Sequence, residues 1–180
     1  MAIEVTSRRT AALLLIIGLC VFPGCKRSKR VTGQTEEEPP RAPSTVHVAD
    51  PNVKSQLVAG WYDVEQNSWR WTSKRFAVVL GTPRGAGSKG AELQMHLTIP
   101  DVVISKLKSI ALTASVQGKV LPPETYNHPG EFLYLRDVPG NLLSTDSVRV
   151  DFVLDKSLPP GNVDRRELGI VVDRVGLEPK

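Results

Sequence analysis

Cysteine is scarce in this chain, and its placement limits what the chain can do. The sequence has 180 residues and two cysteines, Cys20 and Cys25. No cysteine follows Cys25, so the remainder forms no internal disulfide and no thiolate metal site. The stability of that remainder must therefore come from an ordinary apolar core.

Histidine is also rare, and the usual catalytic motifs are missing. None of the three histidines has a cysteine or carboxylate at metal-ligand spacing. The chain contains neither a G-x-S-x-G nucleophile elbow nor a phosphate-binding loop. No pair of carboxylates stands out for glycosidic cleavage. We therefore predict no enzyme activity, no catalytic residue, no metal and no cofactor.

Charge and hydrophobic runs are also limited. A formal net charge of +4 is weak and dispersed, which argues against nucleic acid as a partner. The main apolar run covers residues 11–22, shorter than the roughly 20 residues that span a bilayer as a helix.

The first residues have the pattern of an export signal. Arg8 and Arg9 precede the apolar run, and Pro23 and Gly24 end it just before Cys25. The tetrapeptide "FPGC" resembles the bacterial lipobox, in which the cysteine is lipidated and becomes the new N-terminus. We predict a lipoprotein signal peptide over 1–24 and lipidation of Cys25. The alternatives are a plain signal peptide cut nearby and an uncleaved anchor.

Lipidation would place the chain in the cell envelope. Several acyl chains hold a protein more firmly than one, and the basic residues after Cys25 add attraction to anionic headgroups. Lys26 differs from the Asp that tends to retain lipoproteins in the inner membrane. This resemblance favours the outer membrane, with the protein facing the periplasm or the surface.

Residues 25–55 have the composition of a tether. They are poor in apolar residues, contain an acidic cluster at 36–38, and carry four prolines, Pro39, Pro40, Pro43 and Pro51. Such a segment buries too little apolar area to offset its ordering entropy. We predict a disordered membrane tether over 25–55, followed by a folded domain over 56–180.

The domain shows the two-residue period of β-strands. In "AELQMHLTI", apolar residues alternate with polar ones from Ala91 to Ile99. The segments "SIALTASVQG" and "SVRVDFVLD" repeat this pattern. Further strands are predicted at "LVAGWYDVE", "RFAVVL", "EFLYLRDV" and "ELGIVVDRVGL", and one short helix is predicted from Asp101.

Turn signals separate these segments. "GTPRGAGSKG", "LPPETYNHPG", "VPGN" and "LPPGN" lie between the strands, and prolines are kept out of the apolar runs, as sheet hydrogen bonding requires. Short strands with frequent turns predict an all-β fold, an antiparallel β-sandwich.

Three motifs carry a resemblance. "GWYDVE…WRWT", "VQGKVL" and "DRRELGIVVDRVGL" are similar to a jelly-roll module of bacteria that occurs in lipoproteins and beside sugar-transfer enzymes. The similarity covers about 59–177. It implies a jelly roll of the galactose-binding-like and carbohydrate-binding type, and it implies no particular catalytic or ligand residue.

All three tryptophans lie in "GWYDVEQNSWRWTSKRF". One interpretation is structural, with at least Trp71 in the core or under a loop. The other is a sugar-binding platform, on which indole faces stack against pyranose rings. The candidate ligand-binding residues are Trp61, Tyr62, Trp69, Arg70 and Tyr126. By strand parity Trp69 and Trp71 share a face, and the sequence leaves open whether that face points inward or outward.

"DRRELG" at 164–169 is the other dense polar group. We interpret it as surface ion pairing of Asp164 and Glu167 with Arg165 and Arg166, and the alternative is the edge of a site for an acidic partner.

These observations favour binding over catalysis. The expected function is a membrane-anchored envelope lipoprotein whose non-catalytic β-sandwich binds or scaffolds envelope proteins or glycans. The alternative is a carbohydrate-binding lipoprotein with an aromatic platform. An envelope hydrolase is the third hypothesis.

Overall fold

Ten β-strands make up most of the part of the chain that the structure describes. The computed structural model describes residues 41–180. The predicted signal peptide, Cys25 and the tether up to residue 40 lie outside the described residues. The strands are β1 Thr45–His47, β2 Leu57–Glu65, β3 Trp69–Gly81, β4 Ala91–Ile99, β5 Ile110–Val116, β6 Lys119–Val120, β7 Glu124–Tyr126, β8 Gly130–Val138, β9 Ser147–Leu154 and β10 Val171–Pro179.

Short helical segments connect some of the strands. Helix α1 covers Ala86–Lys89, and α2 covers Asp101–Leu107. Two 3₁₀ turns cover Pro51–Gln56 and Gly140–Leu142. The helix predicted from Asp101 is confirmed. Among residues 41–180, no helix is both long enough and apolar enough to cross a bilayer.

The strands form two layers that share β3. In the first layer, the first residues of β3 pair with β10, β10 pairs with β4, and β4 pairs with β8. In the second layer, the last residues of β3 pair with β9, and β9 pairs with β5. β2 runs beside β3, β1 lies beside β10, and β6 and β7 pair with β5. All these pairings are antiparallel, so the predicted all-β antiparallel sandwich is confirmed.

Strict alternation builds the core. Every second residue of β4, from Ala91 to Ile99, is buried with at most 2% of its surface exposed. The same holds for every second residue of β5 from Ile110 and of β9 from Val148. In β9, Phe152 stacks on Phe76 of β3 with ring centroids 4.8 Å apart. Because both layers turn their apolar residues to the same interior, they share one core cluster.

A glycine lets β2 follow β3 closely. Gly60 adopts φ +72°, a conformation that favours glycine. A Cβ there would lie 2.0 Å from the carbonyl oxygen of Arg75. The pairing register of β2 with β3 shifts on both sides of this point, between Leu57 and Val64. Gly60 therefore permits the bulged contact that brings Trp61 against Phe76.

Residues 41–55 belong to the sandwich, so the prediction that the tether extends to residue 55 is wrong for this part. Val46 and Val48 are fully buried, and Val53 is 5% exposed. Gln56 is buried as well, and its Nε2 donates to the carbonyl oxygens of Pro43 (3.0 Å) and Val79 (2.7 Å). Pairing of β1 with the free edge of β10 supplies the backbone partners that the composition alone did not reveal.

Candidate functional site

One row of side chains crosses four adjacent strands. Trp71 of β3 pairs with Val171 of β10, Val171 pairs with Thr98 of β4, and Thr98 pairs with Glu131 of β8. Residues directly opposite each other in adjacent strands project from the same face of a sheet. The row therefore places an indole, a methyl-bearing floor, a hydroxyl and a carboxylate side by side.

The next row shows which face this is. Val172 pairs with both Arg70 and Leu97, and Leu97 pairs with Phe132. Val172 and Leu97 are buried in the core, at 0% and 2% exposure. Because neighbouring residues of a strand point to opposite faces, the row that contains Trp71 lies on the outer face of its layer.

Thr72 explains the orientation of the tryptophans. Its side chain is fully buried. The Thr72 hydroxyl donates to the carbonyl oxygen of Ile170 and accepts from the Ile170 amide, each at 3.2 Å. Thr72 and Phe76 are four residues apart in β3 and both point inward, so the strand alternates between its two faces without a break from one to the other. Trp69 and Trp71 consequently lie on the outer side.

The two outer indoles line a cavity of about 480 Å³, called here the Trp groove. Their rings are 6.5 Å apart and nearly perpendicular, at 82°. Trp71 also packs partly against the core, as one interpretation of the sequence expected, and its remaining surface faces the groove. The lining consists of Ser68, Trp69, Trp71, Thr98, Pro100, Glu131, Val171 and Asp173.

The groove combines apolar faces with acidic and hydroxyl groups. Val171 is only 8% exposed and forms part of the floor. Glu131 and Asp173 are exposed carboxylates, and Thr98 and Ser68 add hydroxyls. An aromatic wall with a few polar groups is typical of small-molecule and sugar sites. The arrangement suits a ligand with one flat apolar face and a rim of hydroxyl groups.

Of the five predicted ligand-binding residues, Trp69 alone lines the Trp groove. Trp61 packs edge-on against Phe76, with centroids 5.2 Å apart, and its Nε1 donates to the carbonyl oxygen of Ala77 at 2.8 Å. The Tyr62 hydroxyl donates to the carbonyl oxygen of Glu167 at 2.8 Å. Both aromatics therefore have internal partners away from the groove.

Arg70 and Tyr126 are also placed by internal contacts. Arg70 lies in the inward-facing row and donates to the carbonyl oxygens of Val48 and Tyr62, each at 2.7 Å. Tyr126 is 4% exposed and packs on Phe132 with centroids 4.7 Å apart. Burial raises the pKa of the Tyr126 phenol above its ordinary value of 10.0. A buried phenol cannot serve as an exposed platform, so the prediction for Tyr126 is wrong.

The "DRRELG" group forms a local ion-pair cluster. Arg166 makes a bidentate contact with Asp164 and donates to Glu65 at 2.8 Å. Its guanidinium also lies 5.2 Å from the centre of the Tyr62 ring. The hydrogen bond with Arg166 lowers the pKa of Asp164. These contacts match the interpretation as surface ion pairing.

Glu167, the other carboxylate of that group, has different partners. It accepts from the Ser157 hydroxyl at 2.8 Å and from the Lys74 amide at 3.3 Å. The predicted ion pairing therefore involves Asp164 and Arg166, and Glu65 takes the place expected for Glu167.

Three further cavities on the described part of the chain have linings without tryptophan. One lies beside Leu135 and Arg136, and another beside Val163 and Leu168. A third contains Phe76 and Phe152, which stack on each other within the core. Within residues 41–180, no group of three or more His, Cys, Asp or Glu side chains could hold a metal ion.

Most of the groove was not predicted from the sequence. Thr98, Glu131 and Asp173 come from strands far apart in the chain and meet only through strand pairing. The one available signal was the shared parity of Trp69 and Trp71. That parity does not say which face is exposed. The burial of Thr72, seen only in the structure, shows that its neighbour Trp71 points outward.

No protein-family model and no curated protein matches the sequence. Among solved structures, the chain is similar to an acetyl xylan esterase (Est2A) from the rumen bacterium Butyrivibrio proteoclasticus, with a TM-score of 0.44 and 16% identity. That alignment covers 74% of this chain and 31% of the esterase.

Two further similar structures contain carbohydrate-binding modules. The CBM51-2 and INT domains of Clostridium perfringens ZmpB align with a TM-score of 0.40 and 15% identity, over 77% of this chain and 32% of that one. The CBM36-1 domain of a multidomain xylanase from the hindgut metagenome of Trinervitermes trinervoides aligns with a TM-score of 0.34 and 9% identity, over 59% and 71%. The chain thus spans about a third of the esterase and of the ZmpB fragment. Carbohydrate-binding modules are therefore named in two of these three similar structures.

Proposed function

We propose that the β-sandwich is a carbohydrate-binding domain and that its ligand lies in the Trp groove. The observation that carries this proposal is the pair of partly exposed indoles, Trp69 and Trp71, on the outer sheet face beside two carboxylates. A pyranose ring has an apolar C–H face that stacks on an indole, and its hydroxyls donate to carboxylates. The perpendicular rings offer two contact planes for neighbouring sugar units.

The polar groups of the groove suit this role. Thr98 lies between Val171 and Glu131 in one row, so a sugar seated on the floor would meet a hydroxyl and a carboxylate together. A site that hydrogen-bonds hydroxyl groups discriminates strongly against ligands that lack them. Glycan binding is therefore favoured over general protein scaffolding for this face.

A glycan array followed by fluorescence titration tests the proposal. Trp61→Phe removes the indole that lies outside the groove, so the remaining emission reports on Trp69 and Trp71. In this background, an array-positive oligosaccharide should change the emission and saturate. Trp69→Ala and Trp71→Ala should each weaken binding by about tenfold or more, because aromatic side chains that the ligand covers dominate such contacts.

Trp61→Phe is also the matched control for affinity. It alters an indole that packs against Phe76 and should leave the dissociation constant unchanged. Unfolding midpoints of all variants are measured alongside, since Trp71 also contacts the core. Equal affinity in wild type, Trp69→Ala and Trp71→Ala would contradict the proposal.

We also propose that the domain binds glycans without cleaving them. The support is the pair of indoles that line the groove, because aromatic faces hold a sugar by stacking. Prolonged incubation with the bound oligosaccharide should return it intact by mass spectrometry. Accumulation of shorter products that depends on Glu131 or Asp173 would instead favour the hydrolase hypothesis.

Lipid anchoring at Cys25 is a further part of the proposal. Its support is the sequence before the domain, with Arg8, Arg9, the apolar run and "FPGC". The full chain should partition into detergent and carry acyl mass at its N-terminus, and Cys25→Ala should lose both properties. We propose the outer membrane as its location. Identical partitioning of the two chains would refute the anchor.

A further inference from the structure

Resting on the proposed function, we infer that the Trp groove selects glycans by charge. The favoured class is sugars that carry free amines, and the disfavoured class is uronic or sulfated sugars. The basis is the composition of the groove, in which both charged side chains are carboxylates, Glu131 and Asp173. The whole chain has a formal net charge of +4, so this acidic site runs against the overall balance.

Strand pairing determines where these two carboxylates lie. Glu131 ends the row of β3, β10, β4 and β8 that begins at Trp71. Asp173 lies where the pairing register of β10 with β4 shifts, between Val172 and Arg174. Such a bulge redirects a side chain, and here Asp173 is exposed at the groove.

Neither carboxylate is neutralised by a described neighbour. Among residues 41–180, Glu131 and Asp173 take part in no ion pair. Arg174, the cation next to Asp173 in sequence, is hydrogen-bonded to the His96 ring. Arg70 points to the other face of the sheet and donates to backbone carbonyls.

This arrangement acts differently on the three charge classes of sugar. An ammonium group gains charge-assisted hydrogen bonds from a carboxylate. A uronate or sulfate in the same place meets like charge and loses water without a compensating cation. Neutral sugars are retained by stacking and by hydroxyl contacts alone.

The test compares β-1,4-linked tetramers of glucosamine, glucose and glucuronic acid, which share one backbone and differ in charge. At about pH 6 the amines are largely protonated. At low ionic strength the uronic tetramer should bind about tenfold or more weakly than the glucosamine tetramer. The quantity compared below is the ratio of the dissociation constant of the glucuronic acid tetramer to that of the glucosamine tetramer. Added salt should lower this ratio toward one, because exposed charges are screened.

Two double variants assign the effect to the groove. Glu131→Gln with Asp173→Asn should bring the ratio close to one and keep the glucose tetramer bound. The control is Glu92→Gln with Asp137→Asn, which removes the same charge from a pair on the same face of β4 and β8. That pair lies six residues along each strand, about 20 Å from Thr98 and Glu131, and it should leave the ratio unchanged.

Each outcome decides the inference. A wild-type ratio near or below one, or a ratio that the groove variant does not change, would overturn it. If the wild-type ratio is near one and Trp71→Ala abolishes binding of all three tetramers, the proposed function stands and the charge selection fails. If none of the three binds, the charge inference is refuted, and the proposed function is then judged by the glycan array.

Discussion

Substitution of Val46 and Val48 by alanine measures how much the segment before β2 contributes to the free energy of unfolding. Both side chains are fully buried, and β1, which contains Val46, pairs with β10. Each Val→Ala change removes about two methylene equivalents, at about 0.8 kcal/mol each, and adds a cavity term. The expected cost is about 2 kcal/mol for each variant and about 4 kcal/mol for Val46→Ala with Val48→Ala.

Urea denaturation followed by circular dichroism measures this cost. With a slope of about 1–3 kcal/mol per molar urea, the double variant should lower the midpoint by roughly 2 M. Val58→Ala is the matched control, because Val58 is 43% exposed on β2 and should change stability by about 0.5 kcal/mol or less. A double variant that unfolds at the wild-type midpoint would show that residues 45–48 behave as a tether, and would refute the packing of β1.

Two further predictions concern the remaining aromatic and charged groups. Burial raises the pKa of Tyr126, so above about pH 10 the unfolded state releases this proton while the folded state keeps it. The protonated phenol therefore favours folding fully below about pH 10, and stability is lost as the pH rises above that value. Tyr126→Phe should therefore shift alkaline unfolding, followed by circular dichroism, to higher pH, and an unchanged curve would contradict this. Arg166→Ala removes the contacts with Asp164 and Glu65 and should cost about 1–2 kcal/mol in urea unfolding. It should leave glycan affinity unchanged, and a weakened affinity would move the ligand site toward the ion-pair cluster.

Local periodicity predicted most of the sandwich. In β4, β5 and β9, apolar residues occupy every second position because one face of each strand is buried. The helix from Asp101 was also predicted, since its apolar residues follow helical spacing. These elements satisfy their own local patterns, so the sequence is sufficient to find them.

The position of β1 could not be predicted in the same way. Thr45–His47 is a strand of three residues in a proline-rich polar stretch, and it is ordered by pairing with β10 far along the chain. Burial of Gln56 likewise depends on the carbonyl groups of Pro43 and Val79. Long-range backbone partners of this kind leave no local pattern.

The sequence pointed to the segment that contains Trp69 and Trp71, but only Trp69 of the five predicted ligand-binding residues lines the Trp groove. Strand parity placed Trp69 and Trp71 together, yet the buried residue beside them is a threonine. Thr72 is tolerated inside because Ile170 satisfies its hydroxyl. Because a polar residue faces inward at this point, hydrophobicity alone did not decide which face of the strand carries the tryptophans.

The central claim, that the outer indoles and not the inner one meet a glycan, is tested most directly by the three indole N–H signals in a proton–nitrogen NMR spectrum. Trp61 serves as the internal control, because its Nε1 already donates to the carbonyl oxygen of Ala77. Adding an array-positive oligosaccharide should shift the Trp69 and Trp71 signals in a saturable way and leave the Trp61 signal in place. Shifts confined to Trp61, or three unchanged signals with a ligand that binds, would contradict the account.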